Sequence, residues 1–253
     1  MVTMATMTMS KVMVITGGSR GIGAEIARLA AQSGYQVAIS YLSNAQAAED
    51  VVQAIRAAGG NAIAVCADVG DEHAVSAMFA AVDRELGKLD VLVNNAGMLG
   101  SRRIEAMDAP TVTEMFRANV FGTLYCAREA VRRMSTQHGG RGGAIINMSS
   151  VAARLGGLAG GTHYAASKGA IDSFTLALAK EVGTGGIRVN ALRPGLIRTE
   201  IHAVHGGIDP VLAQAVPLGR SGGPEEVAEA ALWLASDAAS YVHGAVIDVS
   251  GGR

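Results

Sequence analysis

Residues 11–23 read KVMVITGGSRGIG. Val12, Met13, Val14 and Ile15 form a short, largely β-branched run, the mark of a strand buried on both faces. The run meets Thr16 and glycines at 17, 18, 21 and 23, after which AEIARLAAQSG (24–34) takes on helical spacing. A strand that passes into a helix through glycines leaves the free N–H groups of the helix N-terminus facing outward, where an anion can bind. Such a loop can also be a tight turn and nothing more. Its position in the first βαβ unit is what favours a dinucleotide phosphate. The candidate cradle is Gly17, Ser19, Arg20, Gly21, Ile22 and Gly23.

Outward from this stretch, strand and helix alternate to the end of the chain. Strands are expected at 35–40, 61–69, 89–97, 143–150, 187–195 and 244–250. Helices are expected at 44–60, with Asn44 as N-cap, and at 71–87, 111–138, 163–183 and 224–236. This order predicts an α/β single-domain Rossmann fold: a doubly wound parallel sheet of about seven strands, helices on both faces. A length of 253 residues suits one such domain. Residues 1–10 read as a disordered leader and 11–253 as the fold. The irregular stretch 198–222 mixes glycines and prolines and is the candidate lid over a site.

Composition removes several function classes. Hydrophobic residues make up 49% of the chain and aromatics 4%, so the core is built of Ala, Val, Ile and Leu. The net charge of −1 implies neither a basic face for nucleic acid nor an acidic tail. Cys66 and Cys126 lie in no metal-ligand spacing, so no metal site is expected, and two reduced thiols fit a cytoplasmic protein. No apolar run approaches the ~20 residues that span a bilayer, and no membrane association is expected.

The end of the second strand bears on which dinucleotide fits. An NAD site places Asp or Glu there to bind the ribose 2′-hydroxyl. Here Ser40, Tyr41, Leu42, Ser43 and Asn44 supply no acid. Arg20 offers a guanidinium to a 2′-phosphate, and Ser43 and Asn44 can add hydrogen bonds. NADP(H) is favoured over NAD(H).

Taken together, TGGSRGIG at 16–23, NNAG at 94–97, Asn119 in FRANVFG, Ser150 in NMSSVAA, YAASK at 164–168 and RPG at 193–195 closely resemble the classical short-chain dehydrogenase/reductase family. The likeness covers 11–253. Within the family the chain looks similar to the branch of 3-oxoacyl-carrier-protein reductases and glucose dehydrogenases. The resemblance implies an NAD(P)-binding oxidoreductase that moves a hydride between nicotinamide and a ketone or secondary alcohol. It implies Tyr164 as acid/base, Lys168 as its tuning and ribose-binding partner, Ser150 at the substrate oxygen and Asn119 holding a water. It implies Asp68 and Val69 near the adenine, and Asn94, Asn95, Ala96 and Gly97 along the ribose side. Pro194, Gly195, Ile197 and Thr199 would border the nicotinamide. Ser150 precedes Tyr164 by 14 positions, one more than the commoner family spacing, so Ser149 stays in contention as the catalytic serine. The resemblance also implies a homotetramer or homodimer assembled through the helices at 111–138 and 163–183.

Chemistry explains the Tyr–Lys spacing. A ketone needs a hydride on carbon and a proton on oxygen, and the protein must bring the proton. A free phenol has a pKa of about 10. Positions i and i+4 share a helix face, so the Lys168 ammonium can favour phenolate at Tyr164. Ala165, Ala166 and Ser167 keep the surrounding surface low. Other readings remain: a surface Tyr–Lys pair, a non-catalytic NADP-binding sensor or scaffold, a nucleotide-sugar epimerase, a methyltransferase. Neither of the last two fits this glycine spacing together with this pair. His163, His202 and His205 read as loop histidines, Trp233 as core or interface. Arg102, Arg103 and Arg154 read as surface charges.

Overall fold

The computed structural model describes residues 10–200 and 210–253. Seven parallel strands form one sheet: β1 (Val12–Ile15), β2 (Gln36–Tyr41), β3 (Ala62–Cys66), β4 (Leu89–Asn94), β5 (Gly143–Met148), β6 (Ile187–Pro194) and β7 (Val246–Val249), in the order β3-β2-β1-β4-β5-β6-β7. Among the described residues the helices are α1 (Gly21–Gln32), α2 (Ala45–Ala57), α3 (Glu72–Glu85), α4 (Ala109–Phe116), α5 (Gly122–Met134), α6 (Ala152–Leu155), α7 (Thr162–Val182), α8 (Pro210–Gln214) and α9 (Pro224–Ala235).

The central strands are buried on both faces because helices cover each side, as all-parallel sheets require. Met13, Ile15, Ile39, Val91 and Ile146 pack with Ile26 of α1, Val51 of α2 and Leu234 of α9. Val12, Val14, Leu92 and Ile145 pack on the other side with Phe79 of α3, Cys126 of α5 and Leu178 of α7. Each large aliphatic side chain so buried contributes ~1.5–3 kcal/mol.

The strand order reverses between β1 and β4, and the crevice beyond their carboxyl ends is where such sheets bind ligands. Hydrogen bonds hold the two strand ends together. Thr16 Oγ1 accepts from the amides of Asn95 (3.0 Å) and Ala96 (2.9 Å). Asn95 Nδ2 donates to the carbonyls of Thr16 (2.9 Å) and Gly17 (3.0 Å).

Two elements depart from the pattern reading. The single helix expected over 111–138 is α4 and α5 joined by a π turn at Arg117–Phe121. The extra residue of that turn carries Asn119, which is buried. The expected strand end at 149–150 and the glycine-rich stretch after it contain the short α6 before α7 begins. Of the expected lid, 201–209 lie outside the described residues, as do His202, His205 and residues 1–9 of the expected leader. The remainder is tied to the body by an isolated parallel bridge between Ile197 and Gly222.

Candidate active site

The glycine loop is shaped by its neighbours. Gly17 and Gly21 have φ of +64° and +55°, left-handed values that a side chain rarely tolerates. A Cβ on Gly23 would lie 2.4 Å from Asn95 Nδ2 and 2.5 Å from the Gly17 carbonyl. Ser40, at the end of β2, accepts from Gly17 N–H through its Oγ (3.1 Å) and from Gly18 N–H through its carbonyl (2.9 Å).

The start of α1 differs from its neighbours. Asn44, Asp71 and Asp108 cap α2, α3 and α4 with side-chain oxygens. Arg20, the N-cap of α1, supplies none. The first-turn amides of α1, together with Ser19 and Ile22, therefore present donors that fit a phosphate. Arg20 is exposed, and its guanidinium makes no ion pair with the described residues. Tyr41 is partly buried, and Leu42, Ser43 and Asn44 are exposed. Asn44 Oδ1 is already taken by Ala47 N–H (3.0 Å), which leaves its amide group for a ligand. Among the described residues no cluster of three or more His, Cys, Asp or Glu could hold a metal, and no helix is long and apolar enough to cross a membrane.

Asp68 does not point freely into the crevice. Its Oδ1 accepts from Gly70 N–H (2.9 Å) and its Oδ2 pairs with Arg117. Sequence spacing carried no sign of Arg117, because the contact joins residues 49 positions apart. Neighbouring Val69 packs where a Cβ on Gly122 would stand. Thr199 lies over Gly21, 3.3 Å from where a Cβ there would be, so the chain leaving β6 borders the glycine loop. Pro194 and Ile197 are buried, and Gly195 abuts Ser250.

Around Tyr164, four predicted residues come together from three separate parts of the chain. The Ser150 hydroxyl stands by the Tyr164 phenol and favours the phenolate, although burial wins and raises the phenol above its ordinary pKa. The Ser150 hydroxyl also accepts from Ala152 N–H (3.1 Å), which fixes its direction. Ser149 instead donates to the Lys168 carbonyl (3.2 Å) and faces away. Tertiary geometry thus puts Ser150, not Ser149, at the tyrosine. The extra residue in the spacing is taken up in the turn before α7, where Gly156, Gly157 and Gly160 all have positive φ.

Lys168 is 5% exposed. Its Nζ donates to the Met148 carbonyl (2.7 Å) and lies 5.9 Å from the centre of the Tyr164 ring. Burial pulls its pKa down to about 8, against the pull of Asp172. The expected lowering of the Tyr164 pKa by Lys168 is therefore not seen in this geometry. The ammonium spends its charge on a carbonyl, and only Ser150 opposes the burial of the phenol. Asn119 locks the wall opposite. Its Oδ1 accepts from Met98 N–H (2.7 Å), and its Nδ2 donates to the Met98 carbonyl (3.1 Å) and to Ser167 Oγ (3.0 Å). A Cβ on Gly97 would sit 3.0 Å from Asn119 Oδ1 and 3.6 Å from Lys168 Nζ, so glycine there keeps the space beside the lysine open.

The readings of His163 and Trp233 shift. His163 is no loop residue; it sits in the first turn of α7, 5% exposed, with Nδ1 buried and unpartnered. Trp233 is 43% exposed on α9, so it is not core. Arg154 is committed to Asp248 (3.1 Å) and Arg103 to Glu105 (3.0 Å). Both cysteines are free, Cys66 exposed and Cys126 buried with its thiol pushed up to about 12 by burial.

Comparison with known proteins agrees with this geometry. A family model described as Enoyl-(Acyl carrier protein) reductase matches residues 17–253. The uncharacterized oxidoreductase YgfF of Escherichia coli (strain K12) is 49% identical over 244 residues, which are 95% of this chain and 98% of that protein. A short-chain dehydrogenase/reductase from Serratia marcescens superposes with a TM-score of 0.89 at 33% identity, over 96% of this chain and 98% of that one. A blue fluorescent protein from a metagenomic library, solved in complex with NADPH, gives a TM-score of 0.89 at 34% identity, over 96% and 97%.

Proposed function

The chain belongs to the short-chain dehydrogenase/reductase family and is an oxidoreductase acting on CH–OH or carbonyl groups with a nicotinamide cofactor; within that activity, we propose that it is an NADP(H)-dependent reductase of ketones, or dehydrogenase of secondary alcohols, with Tyr164 as acid/base. The observation that carries this reading is the Ser150 hydroxyl standing by the Tyr164 phenol beside a buried Lys168. Two hydroxyls converging on one point suit a carbonyl oxygen. Ser150 can hold that oxygen while Tyr164 gives it a proton. The matched family model is described as an enoyl reductase, whose reaction adds a hydride and a proton across a carbon–carbon double bond. A pair of donors aimed at one oxygen favours the carbonyl reading instead.

When bound, NADP(H) supplies or accepts the hydride. The α1 N-terminus with Ser19 and Ile22 would hold its diphosphate, and Arg20, Ser43 and the Asn44 amide its 2′-phosphate. Asp68 and Val69 would border the adenine. Asn95, Ala96 and Gly97 would follow the ribose side, and Pro194, Gly195, Ile197 and Thr199 the nicotinamide. Lys168 would grip the nicotinamide ribose. In doing so it would leave the Met148 carbonyl and turn its charge toward the phenol. Asn119 holds the Met98 segment and so the wall beside Lys168.

Tyr164→Phe tests the mechanism. We expect turnover of NADPH against a panel of ketones to fall by at least ~10²-fold, the scale of a lost general acid, while NADPH still binds by fluorescence titration. Near-normal turnover would remove Tyr164 from its role. A wild type that binds NADPH and turns over no ketone or alcohol would instead point to a non-catalytic sensor.

A further inference from the structure

The buried face of α7 carries a second charge one turn beyond Lys168. Asp172 is 9% exposed and lies four residues along, the spacing that stacks two side chains on one helix face. Its Oδ2 accepts from Arg193 Nε (3.0 Å) and Nη2 (2.8 Å). Its Oδ1 is buried and has no hydrogen-bond partner. Arg193 stands at the end of β6, directly before Pro194. Its Nη1 reaches Asp248 Oδ1 (3.4 Å) on β7, whose Oδ2 pairs with Arg154 Nη2 (3.1 Å) from α6. One ion network thus ties α6, α7, β6 and β7 together beneath the site.

An open carboxylate oxygen in the interior is costly and needs a cause. The ammonium of Lys168 has three donors, and one bond, to the Met148 carbonyl, is made. Two buried groups of opposite charge, each with hydrogen-bonding capacity to spare, sit one turn apart. We propose that Asp172, clamped from the sheet by Arg193, is a positioning residue that serves as the buried counter-charge of Lys168. The proposal deepens the reading of Lys168 as the partner of Tyr164 and rests on it.

The groups around Lys168 support the assignment. Tyr164 faces it from α7, the Met148 carbonyl accepts from it at the end of β5, and Gly97, with Asn119 beside it, borders it from across the crevice. Arg193 stands behind Asp172 from β6. Among these, Asp172 is the only negative group, and its charge works against the burial that lowers Lys168. A positive charge at Arg193 has the opposite sign, so the proposal assigns the two residues of the clamp opposite effects on the ammonium.

Lysine NMR can read this directly. The chain has four lysines, at 11, 88, 168 and 180. Lys11, Lys88 and Lys180 are exposed, so one buried signal stands apart. In cofactor-free protein labelled with 13Cε-lysine, Asp172→Asn should lower the Lys168 titration midpoint by about one pH unit or more. Arg193→Gln should raise it, and Asp172→Glu should return it toward wild type. A purely structural network predicts something different: loosening would hydrate Lys168 and raise its midpoint in both variants. A midpoint that stays put or rises in Asp172→Asn overturns the proposal. If that variant does not fold, a midpoint that falls or stays put in Arg193→Gln overturns it equally. The readout uses neither cofactor nor substrate, so it stands or falls apart from the Tyr164→Phe result.

Discussion

At the scale of single residues, two side chains decide most of the chemistry. Lys168 has a folded pKa of about 8, below the ordinary lysine value, because burial disfavours its charge. Between about pH 8 and 10.5 the unfolded chain therefore binds the extra proton and the folded protein does not. Stability from this group rises with pH across that window and is lost as pH falls through 8. The contribution amounts to a few kcal/mol at most. Chemical denaturation of the wild type and Lys168→Met at a series of pH values should show their stability difference shifting in favour of the wild type from pH 8 to 10.5. A difference that does not vary with pH in that window would contradict a depressed Lys168. Under the proposed reading, Tyr41 sets cofactor choice. A carboxylate there would accept from ribose hydroxyls and repel a phosphate. Tyr41→Asp should move the kcat/KM ratio toward NADH by roughly tenfold or more, the scale of one charge-assisted bond to the 2′-phosphate. A wild type already faster with NADH would refute the NADP assignment. These roles were legible as residue types. The capping role of Asn44 was legible too, but the Asp68–Arg117 pair was not, because it depends on what the folded chain brings alongside.

At the scale of elements, α1 starts without the side-chain cap that α2, α3 and α4 have. Arg20 has the extended backbone of an N-cap (φ −158°, ψ 171°) and the wrong side chain for one. Arg20→Asp should cap α1 and stabilise the cofactor-free protein by ~0.5–2 kcal/mol. The same change should weaken NADPH, because it fills the donors meant for phosphate and reverses the charge beside them. Thermal melts with and without NADPH test both halves. If Arg20→Asp melts lower than wild type and binds NADPH equally well, the uncapped terminus has no part in binding. The π turn at Arg117–Phe121 was out of reach of periodicity, since one extra residue inside a long apolar pattern leaves the pattern intact. It is nonetheless what turns Asn119 inward to the Met98 segment.

At the scale of the whole molecule, α5 and α7 leave apolar surface uncovered. Phe121, Leu124 and Leu176 are 42%, 37% and 46% exposed, and Ala166 and Ala177 lie open beside them. Ala179 of α7 is buried in the core instead. A homotetramer or homodimer through these helices follows as a proposal. Light scattering should show an assembly at micromolar concentration, and Phe121→Glu with Leu176→Glu should reduce it to smaller species; a wild-type monomer would refute it. What the sequence by itself determined was the alternation of strand and helix, the glycine loop after β1, the missing acid at the end of β2, and the Tyr164–Lys168 pair. Each is local, written in composition, period or spacing within a few residues. What only the tertiary structure decided was which serine meets Tyr164, that Lys168 bonds the Met148 carbonyl, and that Asp172, Arg193, Asp248 and Arg154 form one network beneath the site. Those facts join residues tens of positions apart, and they exist only because a parallel sheet brings the ends of distant strands to one edge.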